Sequence, residues 1–365
     1  MKILVIVGTR PEAIKMAPVI LELRSQSWAD VTVVATAQHR EILDQVLSGF
    51  DIRPDIDLNV MRPHQSLNDL TARLLSSLGD VIDKEKPNAT LAQGDTTTVM
   101  ASALTCFYHK IPFGHVEAGL RTGDFQYPFP EEANRVLTSV LATWHFAPTE
   151  NARRNLINSG VDRKSIHLTG NTVIDALLST AAARPLLGID IDPQHRLVLV
   201  TAHRRENFGD PLRNVCLALQ ELSYANPDVT FLYPVHPNPN VKGVVESILA
   251  DCSNCLLCDP LGYGQFVAAM KRARIILTDS GGIQEEAPAL GVPVLVLRNE
   301  TERPEAVESG VVRLVGTEKA SIIDETQRLL DNPKEWSDMA RGASPYGDGT
   351  SAKKIVSVLR KYFGK

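Results

Sequence analysis

The segment Asp279-Ser-Gly-Gly-Ile-Gln-Glu-Glu286 follows the apolar run 275–278. A strand, two glycines and a run of good helix formers place a first helical turn at the end of a strand. The N–H groups of that turn lack intrahelical acceptors, and the positive end of the helix dipole lies there. Ser280 is expected to cap the helix, while Gly281 and Gly282 let an anion approach the backbone closely. Glu286 falls one turn beyond Gly282 on the same face, where a carboxylate can accept hydrogen bonds from a ribose diol. Phosphate and ribose readers this close together suit a nucleotide. On these residues alone, an ordinary glycine-bearing turn followed by a solvated Glu has an equal claim.

Three acids suggest proton chemistry. Asp95 and Glu117 each follow an apolar run by one or two residues, and Glu131 follows Pro128-Phe-Pro130 at the start of a helical pattern. Carboxylates that share a closed cleft are driven to different pKa values, which yields one acid and one base. For Glu131, a plain acidic residue in a first helical turn is the competing account. Arg10 and Lys15 flank a Pro11-Glu12 helix start and can address a diphosphate, although exposed basic residues are common. His203, followed by Arg204 and Arg205, can steady charge on a phosphate leaving group or shuttle a proton.

The elements that must carry these residues alternate from end to end. Strands are expected at 3–7, 31–35, 89–92, 112–115, 144–147 and 166–168, then at 197–201, 230–233, 254–258, 275–278, 292–297 and 312–314. Strands apolar at consecutive positions are covered on both faces, as in parallel sheets flanked by helices. The chain therefore reads as α/β, with two Rossmann-like doubly wound domains. Residues 1–182 form the first and 183–350 the second, with a break in the segment 183–193, where two prolines and a glycine interrupt the pattern. Residues 351–365 carry helical spacing and are expected to pack back on the first domain. Ligands of such sheets bind beyond the carboxyl ends of the strands, and one cleft facing both domains would collect these residues.

At 365 residues and a net charge of −5, the chain has room for two domains and no basic excess for nucleic acid or a membrane surface. Its first apolar run is too short for a signal peptide or a membrane span, so a cytoplasmic protein is expected. Cys252, Cys255 and Cys258 raise the question of a metal or redox site. A strand across 254–258 places Cys255 and Cys258 on opposite faces, and no fourth Cys or His lies nearby, so structural thiols are the better account. There is no G-x-G-x-x-G fingerprint and no phosphate-loop motif, and no cofactor or metal is expected.

Taken together, the motifs closely resemble the non-hydrolysing UDP-N-acetylglucosamine 2-epimerases. The resemblance rests on Gly8-Thr-Arg-Pro-Glu-Ala-Ile-Lys-Met-Ala-Pro18, Gln38-His-Arg-Glu41, Gln93-Gly-Asp-Thr-Thr97, His115-Val-Glu-Ala-Gly-Leu-Arg121 and Phe129-Pro-Glu-Glu-Ala-Asn-Arg135. It extends through Gly170-Asn-Thr172, His203-Arg-Arg-Glu-Asn207, Pro234-Val-His-Pro-Asn238, the segment from Asp279 to Glu286, and Glu302-Arg-Pro-Glu305.

The resemblance implies a GT-B fold, a homodimer, and interconversion of UDP-N-acetylglucosamine and UDP-N-acetylmannosamine for cell-surface polysaccharide. It assigns Arg10, Lys15, His203, Ser280 and Gly282 to the diphosphate, Glu286 to the ribose, and Gly281 to the UDP and sugar more broadly. It places Arg303 at the UDP or sugar, and Phe266 near the uracil. Asp95, Glu117 and Glu131 would handle the sugar and its proton, and Arg135 would help to bind the substrate. Bacterial relatives also carry a regulatory sugar-nucleotide site, whose matching positions here are Gln38, Gln65, Glu131, Arg205 and His236. Two departures from the family pattern are His64, often Arg in regulated members, and the stretch Leu261-Gly-Tyr-Gly264.

Overall fold

The computed structural model describes residues 1–36, 40–62, 65–301, 303–340 and 344–365, and only the backbone of residues 40–42, 44 and 45. The chain divides into two compact units, Met1–Ala176 with Tyr346–Lys365, and Leu177–Pro345.

The first unit is built on seven strands: β1 (Lys2–Val7), β2 (Asp30–Ala35), β3 (Ile56–Asp57), β4 (Ala89–Gln93), β5 (Phe113–Val116), β6 (Trp144–Ala147) and β7 (Ile166–Leu168). They pair in parallel in the order β3-β2-β1-β4-β5-β6-β7. Connecting them are α1 (Arg10–Arg24), α2 (Arg40–Gly49), α3 (Leu67–Glu85), α4 (Thr97–Tyr108), α5 (Glu131–Leu141) and α6 (Glu150–Asn158). Ile3 to Val7 are buried on both faces of the sheet, which explains an unbroken apolar run rather than an alternating one. The strand order reverses between β1 and β4, so their carboxyl ends splay apart into a crevice.

In the second unit, β8 (Arg196–Thr201), β9 (Val229–Pro234), β10 (Cys255–Cys258), β11 (Ile275–Thr278), β12 (Val294–Val296) and β13 (Val312–Leu314) form a parallel sheet in the order β10-β9-β8-β11-β12-β13. α7 (Thr172–Ala182) leads in. It is followed by α8 (Asp210–Ala225), α9 (Pro239–Leu249), α10 (Tyr263–Arg272), α11 (Gly281–Ala289), α12 (Pro304–Glu308), α13 (Lys319–Asp331) and α14 (Pro333–Ala340). Here the order reverses between β8 and β11. Cys252 and Cys255 pack into the core beside Cys216, and Cys258 is half-buried.

The last helix, α15 (Ser351–Tyr362), returns to the first unit and packs along α1. Tyr362 sets its ring edge-on to Trp144 at 4.8 Å, and Phe363 meets Trp28 at 6.4 Å. Two expectations need amendment. β3 has only two residues and no apolar run to announce it. The strand expected at 292–297 shortens to Val294–Val296, since Pro293 has no N–H to offer the ladder. Among the described residues no helix is long and apolar enough to cross a membrane.

Candidate active site

In the first unit the candidate residues gather at the reversal point. β5 ends at Val116, and the next residue, Glu117, takes a left-handed backbone with φ of 63°. That conformation is unfavourable for a residue with a Cβ and survives where surrounding contacts impose it. The contacts are present. Glu117 is buried, and its Oε1 lies 2.6 Å from Lys15 Nζ and accepts from Asn171 Nδ2 at 2.9 Å. Gln93 Nε2 donates to Oε2. A cation and two amide donors stabilise the ionised carboxylate. Lys15, assigned by resemblance to a diphosphate, has its ammonium on Glu117 in this structure.

Asp95 stands two residues beyond β4, the neighbour of β5. Arg135 on α5 grips its Oδ2 through Nε at 2.9 Å and Nη2 at 2.7 Å, while Asn134 Nδ2 donates to its carbonyl at 2.9 Å. Arg135 Nη1 also reaches the buried Glu132 at 3.1 Å. Burial works against the guanidinium charge, but Asp95 and Glu132 outweigh it and hold the pKa of Arg135 up. Glu131, at the head of the same helix, is half-buried. The turn before Asp95 is fixed by His115, whose Nε2 lies 2.7 Å from the Gly94 carbonyl. Burial pushes this imidazole down to about 4, so it is neutral at pH 7 and donates from Nε2.

Arg10 opens α1 and is half-buried. The turn that carries it is clamped by Glu12, whose Oε2 accepts from Gly8 N at 2.6 Å and Thr9 N at 3.2 Å. Thr9 Oγ1 answers from Glu12 N at 3.4 Å, a reciprocal capping box.

In the second unit, Asp279 is fully buried, and its Oδ2 accepts from His203 N at 2.9 Å, Arg204 N at 2.8 Å and Asn207 Nδ2 at 3.1 Å. This carboxylate ties the loop after β8 to the start of α11. Ser280 is the N-cap residue of α11, but its side chain makes no cap bond. The expected hydroxyl cap is therefore not formed, and the Ser280 N–H donates to Thr278 Oγ1 at 2.9 Å. Two guanidinium groups border that start. A Cβ added to Gly281 would lie 3.6 Å from Arg204 Nη2 and 3.8 Å from Arg303 Nη2. Arg303 is oriented by Glu285, which accepts from its Nε. Helix N–H groups beside two arginines are chemically suited to an anion.

Glu286 is buried, and Tyr263 Oη donates to its Oε1 at 3.1 Å. Gly282 faces its other oxygen at 3.9 Å, measured from an added Cβ. Phe266 follows Tyr263 by one turn on α10 and is half-buried. Tyr263 comes from the stretch that departs from the family pattern. A glycine-flanked tyrosine carries no signal of its own, and neither Tyr263 nor Arg204 was expected.

His203 stacks on His236 with centroids 5.4 Å apart. Burial pushes the His203 pKa below its ordinary 6.5, Asp279 pulls it back up, and His236 and Arg204 add to the depression. His236 accepts from Asn238 N through Nδ1 at 3.1 Å, which makes Nε2 the nitrogen that carries the proton of the neutral ring. Of the other positions expected at a regulatory site, Arg205 is exposed in the second unit. Gln65, in the first, accepts from Arg62 N at 3.1 Å and from Arg73. Gln38 and His64 lie outside the described residues.

Comparison with known proteins places this arrangement. A family profile described as UDP-N-acetylglucosamine 2-epimerase matches residues 21–360. The UDP-N-acetylglucosamine 2-epimerase of Escherichia coli K12 is 50% identical over 370 residues, covering 99% of this chain and 98% of the relative. A probable enzyme of that name from Ralstonia nicotianae is 51% identical, covering 99% of each chain. The crystal structure of UDP-GlcNAc 2-epimerase from Neisseria meningitidis bound to UDP-GlcNAc superposes with a TM-score of 0.90 at 49% identity, covering 99% of this chain and 100% of that one. With its two parallel α/β sheets of the GT-B type, the chain belongs to the non-hydrolysing UDP-N-acetylglucosamine 2-epimerases, a family of isomerases.

Proposed function

We propose that the protein interconverts UDP-N-acetylglucosamine and UDP-N-acetylmannosamine by elimination and re-addition of UDP. The hydrogen on sugar carbon 2 is not adjacent to a carbonyl, so simple abstraction is very costly. Elimination avoids this cost. A carboxylate takes the proton from carbon 2, the pair left behind forms the carbon 1–carbon 2 double bond, and the bond from carbon 1 to the diphosphate oxygen breaks with its electrons on UDP. The intermediate is a 2-acetamidoglucal. Return of a proton to the opposite face of carbon 2, with UDP oxygen adding to carbon 1, completes the inversion.

The observation that carries this reading is the pairing of Asp95 and Glu117 at the ends of adjacent strands, each held by its own cation, Arg135 and Lys15. We assign them, with Glu131, to the proton steps. In the second unit the open start of α11, with Ser280, Gly281, Gly282, Arg303 and Arg204, suits the diphosphate. Glu286 is assigned to the ribose and Phe266 to the base. His203, neutral and beside this anion site, donates to the leaving phosphate, and Arg10 adds positive charge.

A homodimer is supported by exposed Phe107 and Tyr108 on α4 and by exposed Leu137 and Val140 on α5, helices that pack together. Gln38, Gln65, Glu131, Arg205 and His236 are assigned to a regulatory sugar-nucleotide site. The stack of His236 on His203 supports this, because it links a regulatory position to a residue of the leaving-group site. Hydrogen exchange at carbon 2 in deuterated water tests the reaction directly.

A further inference from the structure

Gly170 and Asn171 follow β7, and the returning C-terminal segment lies directly on them. Asn171 N donates to the Tyr346 carbonyl at 2.7 Å. Gly170 has a φ of 88°, and a Cβ there would meet Ser351 Oγ at 2.7 Å and the Tyr346 carbonyl oxygen at 3.2 Å, so only glycine allows this approach. Asp175 on α7 completes the attachment by accepting from Ser351 N at 3.2 Å and Ala352 N at 2.9 Å, the open first turn of α15.

The side chain of Asn171 is buried, and its orientation is determined at both ends. Oδ1 accepts from Val173 N at 3.1 Å, and Nδ2 donates to Glu117 Oε1 at 2.9 Å. Rotating the amide by a half-turn would set oxygen against carboxylate and N–H against N–H. The backbone is held by the C-terminal return, the amide oxygen by α7, and only the NH2 group is left to face Glu117.

We propose that Asn171 is a positioning residue for Glu117 and that the C-terminal segment from Tyr346 to α15, by holding Asn171, is part of the catalytic apparatus. This rests on the reading of Glu117 as an acid–base group. It makes the last twenty residues a determinant of turnover rather than only of packing.

In the full-length protein, Asn171→Ala should lower kcat by about 10- to 100-fold, the scale of one hydrogen bond to a charged group. KM should stay within about twofold. The limb of the pH–rate profile that belongs to Glu117 should move to higher pH, because a donor to the ionised form is lost. Asn171→Ser keeps an acceptor for Val173 N–H while failing to reach Glu117, and it gives the same shift if the alanine variant does not fold. Gly170→Ala, which displaces the return without altering any group that touches Glu117, should reproduce the shift in smaller measure. The Glu117 carboxyl resonance in 13C-glutamate-labelled protein, assigned by Glu117→Gln, should titrate higher in the Asn171 variants. Folded variants with unchanged kcat, unchanged limb and unchanged carboxyl titration would overturn the proposal. If the parent protein exchanges no hydrogen at carbon 2, the proposed reaction fails instead, and the carboxyl titration still decides whether Asn171 holds Glu117.

Discussion

Lys15 Nζ and Glu117 Oε1 lie 2.6 Å apart, and their side chains are only 15% and 6% exposed. One comes from the first helix and the other from the end of β5, so the fold brings a cation onto the acid it most directly affects. Removing one partner of a buried pair costs about 3–5 kcal/mol, because the other is left charged and uncompensated. Lys15→Met should therefore lower stability on that scale and, by raising the pKa of the Glu117 carboxyl, also cut kcat, by roughly two to four decades if Glu117 is the acid–base group. Calorimetric UDP affinity should stay within about threefold. Weakened UDP binding with intact kcat would return Lys15 to the diphosphate.

The division of labour predicts two distinct kinds of defect. Asp95→Asn and Glu117→Gln should lower turnover by about two to four decades, the usual reach of acid–base catalysis, while still binding UDP. Ser280→Ala combined with Glu286→Ala should weaken UDP binding itself. Acid variants that stay folded and turn over at the parent rate would refute this assignment.

Glu12 predicts a pH-dependent stability. Burial raises its pKa from an ordinary 4.5 to about 7, against the hydrogen bonds from Gly8, Thr96 and Thr9, and nearby Asp95 pushes the same way. The native state thus holds a proton that the unfolded chain releases, so stability falls as pH rises from about 4.5 to about 7 and is level above that. The span corresponds to about 3 kcal/mol. Glu12→Gln lacks this titration. In thermal melts its Tm should therefore gain on the parent as pH rises through this window, and a constant difference would show that Glu12 does not titrate there.

The fold was legible because both sheets are parallel and covered on both faces, so each strand announces itself as an apolar run. β3 escaped because two residues make no run. The positions of Asp95, Glu117, His203 and Ser280 were legible for a related reason, since each follows such a run directly. Their partners were not. Asn171 reaches Glu117 across 54 residues and Tyr263 reaches Glu286 across 23, and neither residue type advertises its function. Nor was the contact of Lys15 with Glu117 legible, since 102 residues separate them.

Control by a second sugar nucleotide predicts a lag in the reverse reaction started from UDP-N-acetylmannosamine alone. A trace of UDP-N-acetylglucosamine should abolish it, since a ligand shifts a conformational equilibrium by its difference in affinity for the two states. Arg205→Ala should remove this activation. A linear reverse progress curve from carefully purified substrate would mean that the site is not functional here, with His64 the first position to revert to Arg.

Proton NMR of UDP-N-acetylglucosamine with the pure protein in deuterated water tests the central claim most directly. Elimination and re-addition predict UDP-N-acetylmannosamine carrying deuterium at carbon 2, together with slower loss of the carbon 2 proton from the starting sugar nucleotide as the reaction reverses. Free N-acetylmannosamine with stoichiometric release of UDP, or a product that keeps its original hydrogen at carbon 2, would contradict it.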